Sequence, residues 1–228
     1  MAGRRKVMKI ISCINLKGGC AKTTTIVNLG GIFHEKKKKV LLIDMDPQQS
    51  ALKWSVQGGK QFPFPVVAVN ANSISSMKLN INKLIDQYNP DFLLIDTPPQ
   101  LEECSLFSAL LSDLVMIPVS PSPLDIWAAE QAINTIREAG DTKRCSSASS
   151  GLKVVIVPSR VIARSSIGKD ISTSLKHYNE TVSPPIASRV SFAESAIAGT
   201  PISIYAPNTP AHKDFQSLWK CINKIISK

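Results

Sequence analysis

The chain has 228 residues, 43% hydrophobic and 19% charged, which suits a large folded unit with a substantial core. No apolar run approaches the ~20 residues a membrane-spanning helix needs, and the basic start MAGRRKVMKI lacks the apolar centre of a signal peptide. Five cysteines without a C-x-x-C pair support neither a disulfide framework nor a zinc site, while a net charge of +10 favours polyanionic partners.

Along the chain, apolar runs alternate with helical patterns. MKIISCINL predicts a buried strand, and KTTTIVNLGGIFHEKK a helix after it. KVLLID predicts a second strand, PQQSALKWSVQ a helix, FPVVAVN a third strand and SISSMKLNINKLIDQY a helix. DFLLIDTPP and DLVMIPVS predict the fourth and fifth strands, separated by the helical LEECSLFSALLS. PLDIWAAEQAINTIREAG predicts a long helix, and LKVVIVPSR a sixth strand. The Ser-rich segment 141–151 between them reads as a surface loop. The strands are almost continuously apolar, as in parallel strands covered on both faces. The expectation is a doubly wound α/β sheet, mostly parallel, with helices on both faces and 1–228 as one domain.

The stretch INLKGGCAKTTT falls between the first strand and the first helix. The G-x-x-x-x-G-K-[ST] phosphate loop requires glycine at positions 16 and 21, where this chain has Leu16 and Ala21. The chemistry still fits. Gly18 and Gly19 allow a tight turn, and backbone N–H groups around Cys20, Ala21 and Thr24 can face an anion at the helix start. Lys22 can reach the β and γ phosphates and Thr23 can place its hydroxyl on Mg²⁺. Asp44 and Asp46 end the second strand and Asp96 the fourth, the edge at which such sheets bind ligands. Asp96 suits a magnesium shell, although carboxylates there can also cap the next helix. The Cys20 thiol, at a helix N-terminus, is a candidate for unusual reactivity.

KGGCAKTT, DMDPQ, LLIDTPP and PVSPSPLD together resemble the ParA branch of the ParA/MinD ATPases, over about residues 8 to 226. The short, ParF-like partition proteins resemble it most. That resemblance implies a P-loop fold, ATP and Mg²⁺ as cofactors, and slow, partner-stimulated hydrolysis. It gives Lys17, the signature lysine of a deviant Walker A motif, a role at the phosphates of the other subunit in an ATP-dependent homodimer. It implies Asp46 as the residue that positions attacking water, Asp44 and Asp96 near the magnesium, and Pro207, in YAPNTP, beside the nucleotide. Ala21 departs from the family's usual glycine, and its methyl group disfavours the loop's backbone angle.

The resemblance further implies nonspecific DNA as a partner and a ParB-like centromere-binding or adaptor protein as the stimulator, in a cytoplasmic, nucleoid-associated setting. Arg160, Arg164, Lys169 and Arg189, with Lys213, Lys220, Lys224 and Lys228 of the last predicted helix, are the candidate phosphate contacts. A MinD-like membrane-associated regulator is the rival reading, and a nucleotide-binding module with little turnover is another. The last helix is expected to pack on the sheet, so a membrane is not the expected partner.

Overall fold

The computed structural model describes residues 8–69, 73–99, 103–146, 151–162 and 164–227. The strands are β1 (Lys9–Cys13), β2 (Val40–Asp44), β3 (Val66–Ala68), β4 (Phe92–Asp96), β5 (Leu114–Val119), β6 (Lys153–Pro158) and β7 (Thr181–Val182). The helices are α1 (Lys22–Glu35), α2 (Ser50–Gly58), α3 (Ile74–Tyr88), α4 (Glu103–Leu111), α5 (Pro123–Ser146), α6 (Ser166–Leu175), α7 (Val190–Ile197), α8 (Ile202–Tyr205) and α9 (Pro210–Ile226). The seven strands form one sheet in the order β3-β2-β4-β1-β5-β6-β7, with every pairing parallel.

Both faces of the sheet are covered, which is why the central strands carry no polar alternation. Val40 and Leu42 of β2 point into the core shared with Phe33, Phe215 and Leu218, whereas Leu41 and Ile43 point to the opposite face, with Met77 and Ile81. On β5, Leu114 and Met116 join the first core and Val115 and Ile117 a third, under α5. Helix α9 buries Phe215, Leu218 and Ile222 along one stripe. It starts at Thr209, whose hydroxyl accepts the His212 N–H, with Pro210 supplying a preset φ at the first position.

In register, Asp44, Asp96 and Cys13 lie side by side across β2, β4 and β1, so the carboxylates and the start of the phosphate loop share one edge. The end of α2 touches the turn after α7: a Cβ on Gly58 would lie 1.9 Å from the Gly199 carbonyl oxygen, so only glycine fits there. That contact closes the side of the sheet edge where the candidate site lies.

Two expectations are corrected. Residues 141–146 of the Ser-rich segment continue α5, where Asp141 and Thr142 are exposed and need no apolar stripe, and the Thr142 hydroxyl bonds back to the Glu138 carbonyl. Residues 147–150 of that segment lie outside the described residues. There is also a seventh strand, only two residues long, too short to leave a pattern in the sequence.

Candidate phosphate-binding site

Residues 14–21 form the loop between β1 and α1, and long-range contacts hold it in shape. Asn15 donates to the Pro118 carbonyl at 2.6 Å while its Oδ1 accepts the Lys17 N–H at 3.0 Å. On the far side, the Ser159 hydroxyl donates to the Cys20 carbonyl (3.0 Å) and Arg160 Nη1 to the Gly19 carbonyl (2.8 Å). Gly19 (φ 77°) and Ala21 (φ 72°) are both left-handed. Ala21 is the N-cap of α1 and supplies no side-chain acceptor to the first turn. The strain expected of a methyl group at this position is therefore present, at about 1–2 kcal/mol. Lys22, 7% exposed, folds back and donates to the carbonyls of Asn15 (3.2 Å) and Lys17 (3.1 Å), so its ammonium sits inside the loop that would surround a phosphate.

The Thr23 hydroxyl donates to Asp96 Oδ2 at 2.6 Å. The other Asp96 oxygen, Oδ1, is buried without a hydrogen-bond partner. Burial, with the charges of Asp44 and Asp46 adding to it, raises the Asp96 carboxyl to about 7 against the pull of Thr23 and Lys22. An orphaned buried carboxylate oxygen beside a threonine hydroxyl fits a hard cation. Among the described residues no group of three or more His, Cys, Asp or Glu gathers as a metal site, so Thr23 and Asp96 would supply only part of a cation's shell. Asp44 is also buried, and burial raises its carboxyl. Its oxygens accept the N–H groups of Asp46 (3.1 Å) and Leu52 (3.0 Å), so it organises the loop into α2.

A cleft of about 960 Å³ opens over this edge. Gly18, Gly19, Ala21, Lys22, Thr23 and Thr24 line one wall, Asp46 a second, and Arg160 and Arg189 a third. Asp44, Asp96 and Cys20 are buried and do not line the cleft, and Pro207, exposed in the turn after α8, does not line it either. Lys17 stands at the rim, where Nζ pairs with Asp125 Oδ1 at 2.9 Å; its side chain is 39% exposed and that of Asp125 11%. The expected reactivity of Cys20 is corrected: the residue is 1% exposed, and burial pushes its thiol up, outweighing the lowering by Lys22.

The candidate DNA contacts are spread over several elements. Arg160 and Arg189 belong to the cleft, and Arg189 grips Asp214 through Nε (2.9 Å) and Nη2 (3.3 Å). Arg164 and Lys169 are exposed on and before α6, and Lys220 and Lys224 lie on α9. Lys228 is outside the described residues. Sequence reasoning missed Asn15, which ties the loop to Pro118, and Asp125 and Ser159, which act on the loop from segments more than 100 residues away. Only PVSPSPLD, the motif that ends in Asp125, carried any signal for them.

Comparison with known proteins agrees with this geometry. A model described as an AAA domain matches residues 8–61. The chain is 26% identical over 95% of both sequences to maintenance of carboxysome distribution protein A of Halothiobacillus neapolitanus, and 26% identical over 96% of both to a virulence plasmid ParA family protein of Chlamydia psittaci. A solved ATP complex of McdA from Cyanothece superposes with a TM-score of 0.71 at 16% identity, over 96% of each chain. No helix of the described residues is long and apolar enough to cross a membrane. Together these likenesses support a ParA/MinD-type Walker A ATPase.

Proposed function

We propose that the chain is a Mg²⁺-dependent positioning ATPase, with residues 1–228 acting as one domain. It binds ATP in the cleft, dimerises on it and holds DNA nonspecifically as the dimer. It lets go when a ParB-like or other adaptor protein stimulates hydrolysis. The names of its relatives, one maintaining carboxysome distribution and one carried on a plasmid, support a cargo that must be spaced or segregated.

The observation that carries this reading is the position of Lys17. One lysine, Lys22, already occupies the phosphate cradle. Lys17 is turned to the rim and held by Asp125, available to a nucleotide bound by a facing subunit. In its own subunit, Lys22 exchanges two loop carbonyls for phosphate oxygens. The Thr23 hydroxyl and Asp96 would hold the magnesium, which would supply positive charge against the phosphates. Asp46, on the cleft wall, orients the attacking water. The membrane-associated rival needs α9 free to lie on a bilayer, yet Phe215, Leu218 and Ile222 are wholly buried in the core.

Light scattering of Asp46→Ala tests the proposal. A dimer is expected with ATP and a monomer with ADP, and Lys17→Ala should lose the dimer while keeping ADP affinity. Equal masses in ATP and ADP would overturn it.

A further inference from the structure

Two side chains at the end of β6 hold the back of the phosphate loop. Ser159 follows the last residue of β6, and its N–H extends the ladder to the Val119 carbonyl at 2.8 Å, so the sheet fixes it. It is 1% exposed, and its hydroxyl donates to the Cys20 carbonyl at 3.0 Å. Arg160, next in sequence, donates from Nη1 to the Gly19 carbonyl at 2.8 Å. We propose that Ser159 is a positioning residue for the phosphate cradle. It holds the peptide between Cys20 and Ala21 in the orientation an anion needs, against the strain of the left-handed alanine. This rests on the reading of the loop as an ATP site and adds to it a residue outside the loop.

The joint concerned is a single peptide plane. On its helix side, the Ala21 carbonyl accepts the Thr25 N–H at 2.9 Å. On its loop side, the Cys20 thiol donates to the Lys17 carbonyl at 3.2 Å. Both residues are therefore anchored, while the plane between them can turn about ψ of Cys20 and φ of Ala21. A trans peptide points its N–H opposite to its carbonyl. With the Cys20 carbonyl drawn to Ser159, the Ala21 N–H faces away from it at the start of α1, where no hydrogen bond among the described residues takes it. That N–H is a donor a phosphate oxygen would use.

Ala21 gives the joint a reason to turn. At φ 72° its methyl group crowds the backbone, and swinging the peptide over carries φ to the negative side that an L residue prefers. The swing would put the Cys20 carbonyl oxygen where the Ala21 N–H now is, an acceptor in place of a donor. It would also break the bond from Ser159 and leave a buried hydroxyl without its partner, which opposes it. Lys22 does not hold this peptide, since its ammonium bonds the carbonyls of Asn15 and Lys17. Arg160 acts one peptide earlier, at Gly19, where a φ of 77° carries no such strain. The alanine of the loop and the serine at the end of β6 thus act as a pair, and the cradle keeps its shape without glycine at position 21.

A double-mutant cycle between Ser159→Ala and Ala21→Gly tests the pairing. In calorimetric titrations of the full-length chain with ADP and Mg²⁺, Ser159→Ala should weaken binding by about fivefold or more. In the Ala21→Gly background, where the swing relieves no strain, the same change should weaken it by no more than about twofold. A serine that only satisfied its own hydroxyl would cost the same in both backgrounds. Thermal melts without nucleotide should run in the opposite order. The Tm lost to Ser159→Ala should be ~2 °C smaller in the wild-type background than in Ala21→Gly, because only the alanine chain recovers strain by turning. Equal weakening of ADP binding in both backgrounds, or none in either, would overturn the inference. Should the wild type bind no ADP, the proposed function falls and the melts decide the pairing alone: a smaller loss beside Ala21 upholds it, and equal losses overturn it.

Discussion

The N-termini of α1 and α9 solve the same problem in opposite ways. Every helix begins with backbone N–H groups that have no partner within the helix. At α9, and likewise at α3 and α6, a hydroxyl supplies one: Thr209 for His212, Ser73 for Ser76 and Ser165 for Gly168. At α1 the cap is Ala21, left-handed and without an acceptor, although a hydroxyl cap is worth about 1 kcal/mol. The difference shows where the fold forgoes stability. The first turn of α1 is left without a side-chain cap, and the Lys22 ammonium is held by carbonyls of the loop before it. Both helices pack on the same core, so the contrast belongs to their ends.

The largest break in the comparison comes from the cradle. Lys22→Ala should weaken nucleotide binding at least ~100-fold, close to 2.7 kcal/mol, in a calorimetric titration. The corresponding loss at α9, Thr209→Ala, should leave nucleotide affinity unchanged.

Next is the pH dependence of the metal-free, nucleotide-free protein. Asp96 binds its proton at about 7 when folded and near 3.8 otherwise, so between those values the folded state holds the extra proton. Stability therefore falls as pH rises from about 4 to 7 and stays low above. The buried Asp44, also raised, has the same sign. Asp96→Asn removes the larger share of this. It should raise Tm by ~3 °C or more at pH 8 and by little at pH 4.

The smallest effects concern the caps themselves. Ala21→Gly relieves the left-handed strain and should stabilise by about 1 kcal/mol, or ~2–4 °C in Tm. Thr209→Ala should destabilise by about the same amount. Thermal melts of the two variants check both signs.

The strands and the phosphate loop were legible because each is local. A run such as FLLID announces a doubly covered strand, and the glycines, lysine and threonine of the loop lie within eight residues. The left-handed strain at Ala21 was legible too, from the absence of glycine. What holds the loop was not legible. Ser159, Arg160 and Asp125 reach it only after β5 and β6 have paired beside β1, and apart from PVSPSPLD, which ends in Asp125, nothing local marks their hold on the loop. The end of α5 was hidden because its exposed last turns carry the same polar residues as a loop. The scatter of the basic residues was hidden for a related reason. Charge counts along a chain do not show that Arg189 is spent on Asp214 while Lys37 and Lys39 are not.

The central claim is that the open N-terminus of α1 and its two lysines make a working ATP site. A phosphate-release assay on the purified chain with ATP and Mg²⁺, run beside Asp46→Ala and Lys22→Ala, tests it most directly. The account predicts slow release by the wild type, ATP binding without release by Asp46→Ala, and neither by Lys22→Ala. A wild-type chain that neither binds nor hydrolyses ATP would contradict it.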